Sequence, residues 1–176
     1  IDGERAVFSR EVLLDILQHF CLVQDQETPN GKRKRVMIWP RFQQLDAVRK
    51  VVADARAHGA GRNYLFQHSA GSGKSNTIAW TAHQLAKLHD ANDIPVFHAV
   101  VIVTDRVVLD RQLQRTVESF SPTKGYVTPI DGTSRQLREA ITRGARIIIS
   151  TIHKFSTETL SAVRNDEGRR FAIIID

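Results

Sequence analysis

Gly71-Ser72-Gly73-Lys74-Ser75 is the segment of this 176-residue chain whose residue types are best suited to chemistry. Glycines let successive backbone N–H groups curl around an anion with no Cβ in the way. A lysine followed by a hydroxyl residue adds one mobile positive charge and one oxygen ligand. In a phosphate-binding loop of this spacing Lys74 contacts the β- and γ-phosphates and the Ser75 hydroxyl holds Mg²⁺. Ala70, Gly71, Ser72, Gly73 and Asn76 complete the candidate phosphate contacts. The full G-x-x-x-x-G-K-[ST] pattern places a glycine where this chain has His68. A second candidate lies about a hundred residues further on, where Ile173-Ile174-Ile175 is followed by Asp176. An acidic residue at the C-terminal edge of a buried parallel strand sits where ligands of open α/β sheets bind, and Asp176 can hold Mg²⁺ there through water. Such a run is common wherever a strand ends in a turn, so its weight comes from the phosphate loop before it.

These residues need strands and helices to bring them together. Tyr64-Leu65-Phe66 reads as a short buried strand leading into the loop, and a helix is expected after it, with Ile78, Ala82, Leu85, Ala86 and Leu88 at helical spacing. Pro95 breaks the chain before His98-Ala99-Val100-Val101-Ile102-Val103, a β-branched run that is apolar on both faces and so requires cover on both sides. A helix over 106–119 follows, aligning Leu109, Leu113 and Val117. A loop punctuated by Pro122, Gly125 and Pro129 comes next. Thr133-x-x-Gln136 has capping-box spacing and predicts a helix from about Ser134 to Arg143. Arg146–Ser150 and Ala172–Asp176 are two further buried strands. Strands alternating with helices predict an α/β domain with a mainly parallel sheet.

Upstream, Val12, Leu13, Ile16, Leu17 and Phe20 recur at helical spacing over 11–23, and the polar stretch Gln24 to Arg35 reads as a linker. Lys32-Arg33-Lys34-Arg35, beside Pro29-Asn30-Gly31, is expected as a solvated loop. Pro40 is placed to open a helix in its first turn, with Leu45, Val48, Val52 and Ala55 as its apolar stripe.

Composition bounds the possibilities. With 41% hydrophobic and 25% charged residues the chain is neither disordered nor fibrous, and no apolar run reaches the roughly 20 residues that cross a bilayer. The excess of 25 Lys+Arg over 19 Asp+Glu gives +6 and a pI near 9.9, a balance that attracts polyanions. The single cysteine, Cys21, cannot close an internal disulfide and reads as a small buried hydrophobe, in keeping with a reducing, cytoplasmic setting. His153 has no second ligand-type residue at metal spacing beside it.

Four segments together carry a resemblance. Trp39-Pro40-Arg41-Phe42-Gln43-Gln44-Leu45-Asp46-Ala47-Val48 is similar to the adenine-sensing segment of superfamily 2 helicase-type ATPases, with Gln44 at the base-contacting position. Gln67 to Ser75 resembles their motif I, in which histidine at the first position is common. Val101 to Leu113, with its Thr104-Asp105-Arg106 turn, resembles motif Ia. Ile149-Ser150-Thr151-Ile152-His153-Lys154-Phe155 resembles the next DNA-facing motif. Within that superfamily the chain most resembles the motor (R) subunit of type I restriction enzymes, over roughly Leu13 to Asp176.

The resemblance implies a RecA-like P-loop NTPase lobe, a three-layer sandwich over 36–176 whose sheet is incomplete at the C-terminus. Residues 1–35 would be a helix and basic linker leading from an upstream domain. It implies ATP and Mg²⁺ as cofactors, with Gln44 on adenine and Lys74, Ser75 and Asp176 at the phosphates. Thr104, Arg106, Thr151 and Lys154 would hold the DNA backbone, and Asp105 would cap a helix. The implied partners are double-stranded DNA, a second RecA-like lobe that supplies an arginine finger, and methylation and specificity subunits, in a bacterial or archaeal cytoplasm. Cleavage would belong to a nuclease domain elsewhere. Two alternatives stay open at this point: another superfamily 2 DNA or RNA helicase, and a nucleotide-binding module without hydrolysis.

Overall fold

Ser9 caps helix α1, Arg10–His19, by accepting the Val12 N–H with its side chain, 3.3 Å away. Val12, Ile16 and Phe20 are buried, whereas Leu13 and Leu17 are exposed, so the apolar stripe is narrower than its sequence spacing suggests. The computed structural model describes residues 9–27, 31, 33–69, 71–105, 107–121, 123, 125–157, 161 and 168–176. The chain divides into two units, residues 1–47 and 48–176.

In the first unit the predicted linker is a β-hairpin. Strand β1, Leu22–Glu27, pairs antiparallel with β2, Arg33–Ile38, from Leu22↔Ile38 to Glu27↔Arg33. The helix expected to run to residue 23 therefore ends at His19, and Arg33-Lys34-Arg35 lies on a strand rather than in a loop. Ladder hydrogen bonds join backbone groups, which a polar stretch supplies as well as an apolar one. Cys21, expected in the core, is only partly buried, enough for desolvation to push its thiol above the ordinary value. Pro40 lies two residues ahead of helix α2, Phe42–His58, rather than inside its first turn. The Gln44 Oε1 accepts the Arg41 N–H at 2.9 Å, closing the helix start from within.

The second unit is built on a four-stranded parallel sheet. Its strands are β3 (Ala99–Thr104), β4 (Val127–Pro129), β5 (Ile147–Thr151) and β6 (Phe171–Ile175), in the spatial order β4-β5-β3-β6. Three helices alternate with them: α3 (Lys74–Ala86), α4 (Val107–Ser119) and α5 (Ser134–Thr142). Strand residues alternate between two cores, as the pleat requires. Val100, Ile102, Ile147 and Ile149 pack with Ala79, Ala82, Leu85, Leu113 and Val117 of α3 and α4. Val101, Val103 and Ile148 pack on the other face with Leu137, Ala140 and Ile141 of α5. Helices on both faces of a parallel sheet make the three-layer α/β fold of a RecA-like P-loop domain.

Three local expectations change. Tyr64-Leu65-Phe66 belongs to no strand, and Leu65 is 93% exposed. Strand β6 pairs with β3 on one side, and a cleft lies between it and this segment. Val127–Pro129, read as loop, is a three-residue strand. It pairs only with β5, and proline is tolerated at such an edge. At the start of α5, Gln136 reaches back to the Gly132 N–H at 2.8 Å instead of to the Thr133 N–H, and Thr133 makes no side-chain cap.

Candidate functional site

The phosphate loop owes its shape to two left-handed residues. Gly71 has φ 72° and Gly73 φ 85°, conformations that cost an L-residue roughly 1–2 kcal/mol and glycine almost nothing. A Cβ at Gly71 would meet nothing within 4 Å, so backbone conformation rather than crowding requires glycine there, and the space beside it stays open. Gly73 is the N-cap of α3, and its carbonyl accepts the N–H of Asn76 at 3.0 Å and of Thr77 at 3.3 Å. Lys74 and Ser75 are thus the first two helical residues. There N–H groups lack intrahelical acceptors and the helix dipole favours an anion. Ala70 lies outside the described residues.

Asp176 reaches the same place from the sheet. Its N–H donates to the Val103 carbonyl at 3.0 Å, which extends the β3–β6 pairing one residue past the strand. A cleft of about 600 Å³ has His68, Lys74, Thr77, Thr81, Leu85 and Asp176 among its lining residues. A flexible ammonium, a carboxylate and an open glycine turn at a helix N-terminus are the donor set that a triphosphate and its divalent cation require. The cleft's outer wall is pinned to α2. The Tyr64 hydroxyl donates to the Asp54 Oδ2 at 2.7 Å, and His58 and Arg62 lie 2.9 and 3.7 Å from the Asp54 Oδ1. The Tyr64 hydrogen bond, ahead of Arg62 and His58, holds the Asp54 carboxyl below its ordinary range. Burial and the same bond push the Tyr64 phenol up to about 12. The His68 ring stacks on Phe66 at 6.2 Å between centroids, which steadies the entry to the loop.

Thr77 went unnoticed in the sequence. Its hydroxyl is buried in the cleft wall one helical turn past Lys74, with no hydrogen-bond partner among the described residues. The i, i+3 spacing from Lys74 was the available signal, but nothing in it foretells burial.

Two of the residues proposed for the DNA backbone stand at neighbouring strand ends. Thr104 pairs in register with Thr151 across β3 and β5, one strand over from Asp176. Both threonines are buried, at 2% and 4% exposure, and the Thr104 hydroxyl has no hydrogen-bond partner among the described residues. Lys154 closes a 3-10 turn after β5, and its ammonium donates to the Ile130 carbonyl, so part of its hydrogen-bonding capacity is spent inside the fold. Arg106 lies outside the described residues. Gln44 belongs to the first unit, where it is buried and bonded to the Arg41 N–H.

Among the described residues no helix is long and apolar enough to cross a membrane. No curated protein matches the chain. The sequence model of the SWI2/SNF2 ATPase family matches residues 43–176, which takes in the phosphate loop, all four strands of the parallel sheet and Asp176. With that match over most of its length, on a P-loop α/β fold, the chain belongs to the SWI2/SNF2 ATPases, helicase-like motors of superfamily 2.

Proposed function

We propose that this chain binds ATP and Mg²⁺ through Lys74, Ser75 and Asp176 and drives movement along double-stranded DNA, as the motor lobe of a type I restriction R subunit. The observation that carries the nucleotide part is the convergence of Lys74 and Asp176 on one cleft beside a glycine turn open to solvent. Lys74 sits where its ammonium balances phosphate charge, and the first-turn N–H groups of α3 orient the same anion. Ser75 and Asp176 supply a hydroxyl and a carboxylate, the hard oxygen ligands magnesium prefers. Bound there, the cation would neutralise negative charge on the phosphates.

Support for a DNA track is the register of Thr104 with Thr151, which sets two hydroxyl residues at adjacent strand ends, Thr104 on the strand beside the one that Asp176 follows. Because both are buried, phosphate contact requires this rim to open. The restriction-enzyme assignment rests on the sequence likeness of the four motif segments, including histidine at position 68. By the same likeness an arginine finger comes from a second lobe, so this chain alone should bind nucleotide and turn it over poorly.

Titration with a fluorescent ATP analogue and magnesium tests the nucleotide site. Lys74→Ala should weaken binding at least about tenfold, or ~1.4 kcal/mol, while leaving the unfolding midpoint unchanged. Unaltered affinity refutes the site. In the full-length polypeptide with its partner subunits, duplex DNA should raise ATP turnover without strand displacement. Displacement of a strand would favour a helicase instead.

A further inference from the structure

His83 lies nine residues along α3 from Lys74, two and a half turns into the helix. It is a buried imidazole whose two nitrogens differ. Nε2 is 2.8 Å from the Val117 carbonyl, in the last turn of α4. A carbonyl only accepts, so Nε2 carries the proton. Nδ1 is buried and has no hydrogen-bond partner among the described residues. The ring stacks on Tyr126 at 5.8 Å and 13°, and tilts against Phe120 at 6.3 Å. Phe120 also packs edge-on with Trp80 of α3 at 5.6 Å. One side chain therefore joins the helix that begins at the phosphate loop to the end of the next helix and the segment beyond it.

We propose that His83 is an acid-sensitive fastening between α3 and α4: the neutral imidazole holds the two helices together, and taking up a second proton loosens them. That proton would go to Nδ1, which is buried and has no hydrogen-bond partner among the described residues. Helix α4 presents the Val117 carbonyl, already bonded. The segment after it presents the Tyr126 phenol, which burial pushes above its ordinary value and keeps neutral. Next to α3, Lys87 adds like charge, its ammonium 5.9 Å from the Tyr126 ring centroid. Burial, foremost, holds the His83 pKa below the ordinary histidine value. The Val117 bond opposes this shift and Lys87 adds to it.

As pH falls through the ~6.5 of an unfolded histidine, the unfolded chain takes the proton and the folded chain resists. The stability that the neutral imidazole confers is whole above that pH. It drains as pH drops toward the folded value, below which no more is lost. Because α3 starts at Lys74 and α4 starts just past Thr104, loosening should also weaken nucleotide binding. That last consequence rests on the function proposed above, and the fastening itself does not.

NMR titration of the histidine rings in this chain, with His83→Gln identifying the resonance, provides the direct test. His83 should be the Nε2-protonated tautomer and titrate below about 6.5. A value at or above that, or the other tautomer, overturns the proposal. Between about pH 7.5 and about pH 5 the wild-type unfolding midpoint should fall further than that of His83→Gln, by about 3 °C for every pKa unit of depression. Equal falls overturn it too. If His83→Gln does not fold, the tautomer and titration of the one ring stacked on Tyr126, traced through contacts to that ring, still decide. Binding of the magnesium–ATP analogue should weaken over the same window in the wild type and not in the variant. Absence of binding at every pH would refute the nucleotide site and leave NMR and midpoints to judge the fastening.

Discussion

Two stretches of this molecule read almost identically in sequence, Ile147-Ile148-Ile149 in β5 and Ile173-Ile174-Ile175 in β6, and the fold treats them in opposite ways. All three isoleucines of β5 are 0% exposed, with neighbours in β3 and β4 and helices over both faces. In β6, Ile173 is 64% and Ile175 76% exposed, while Ile174 between them packs against the core shared with α3 and α4. The α5 side of the sheet is covered at Val101, Val103 and Ile148 but not at these two positions. A triple isoleucine thus specifies a strand and leaves its burial to whatever lies beside it and above it. At β6 that difference has a chemical use, since the exposed end carries Asp176 into the cleft with Lys74.

Truncations at matched positions should separate the two strands most sharply. Ile149→Ala should cost about 2–5 kcal/mol in urea unfolding at unchanged m-value, the range for emptying a close-packed core. A loss under ~1 kcal/mol there would mean β5 is not the centre of the sheet. Next in size is a solution effect. A strand edge with apolar side chains and no charge invites pairing with another molecule, so the chain should self-associate as concentration rises. Ile173→Lys should shift sedimentation toward monomer without lowering the unfolding midpoint, and identical association by both proteins would show that β6 is not the contact. The smallest effect belongs to Ile175→Ala, which should cost less than about 1 kcal/mol because most of that side chain already faces water. A cost equal to that of Ile149→Ala would erase the contrast.

Legibility followed the same division. The apolar runs of β3, β5 and β6 and the periodicity of α3 and α4 were plain, since backbone pairing and amphipathic burial leave short-range signatures. Val127–Pro129 left none, being three residues long with a proline. The hairpin of β1 and β2 hid in polar residues that pair through their backbones. Tyr64-Leu65-Phe66 misled in the other direction: it looks like a buried strand, but Tyr64 turns to Asp54 and Leu65 points into solvent. For the candidate site, the glycine turn and Lys74 could be read directly because their spacing is local. The burial of Thr77 and Thr104 and the tie from Lys154 to Ile130 depend on neighbours far along the chain.

The sequence by itself determined the phosphate loop, the alternation of strands and helices, and the carboxylate at the end of an apolar run, because each depends on residues within a few positions of one another. The tertiary structure alone decided that Asp176 meets Lys74 across a cleft, that Thr104 and Thr151 stand side by side but covered, and that His83 joins two helices through a single proton. Those outcomes turn on which strand neighbours which and which face a helix covers, and these are set by burial summed over the whole domain rather than by any local pattern.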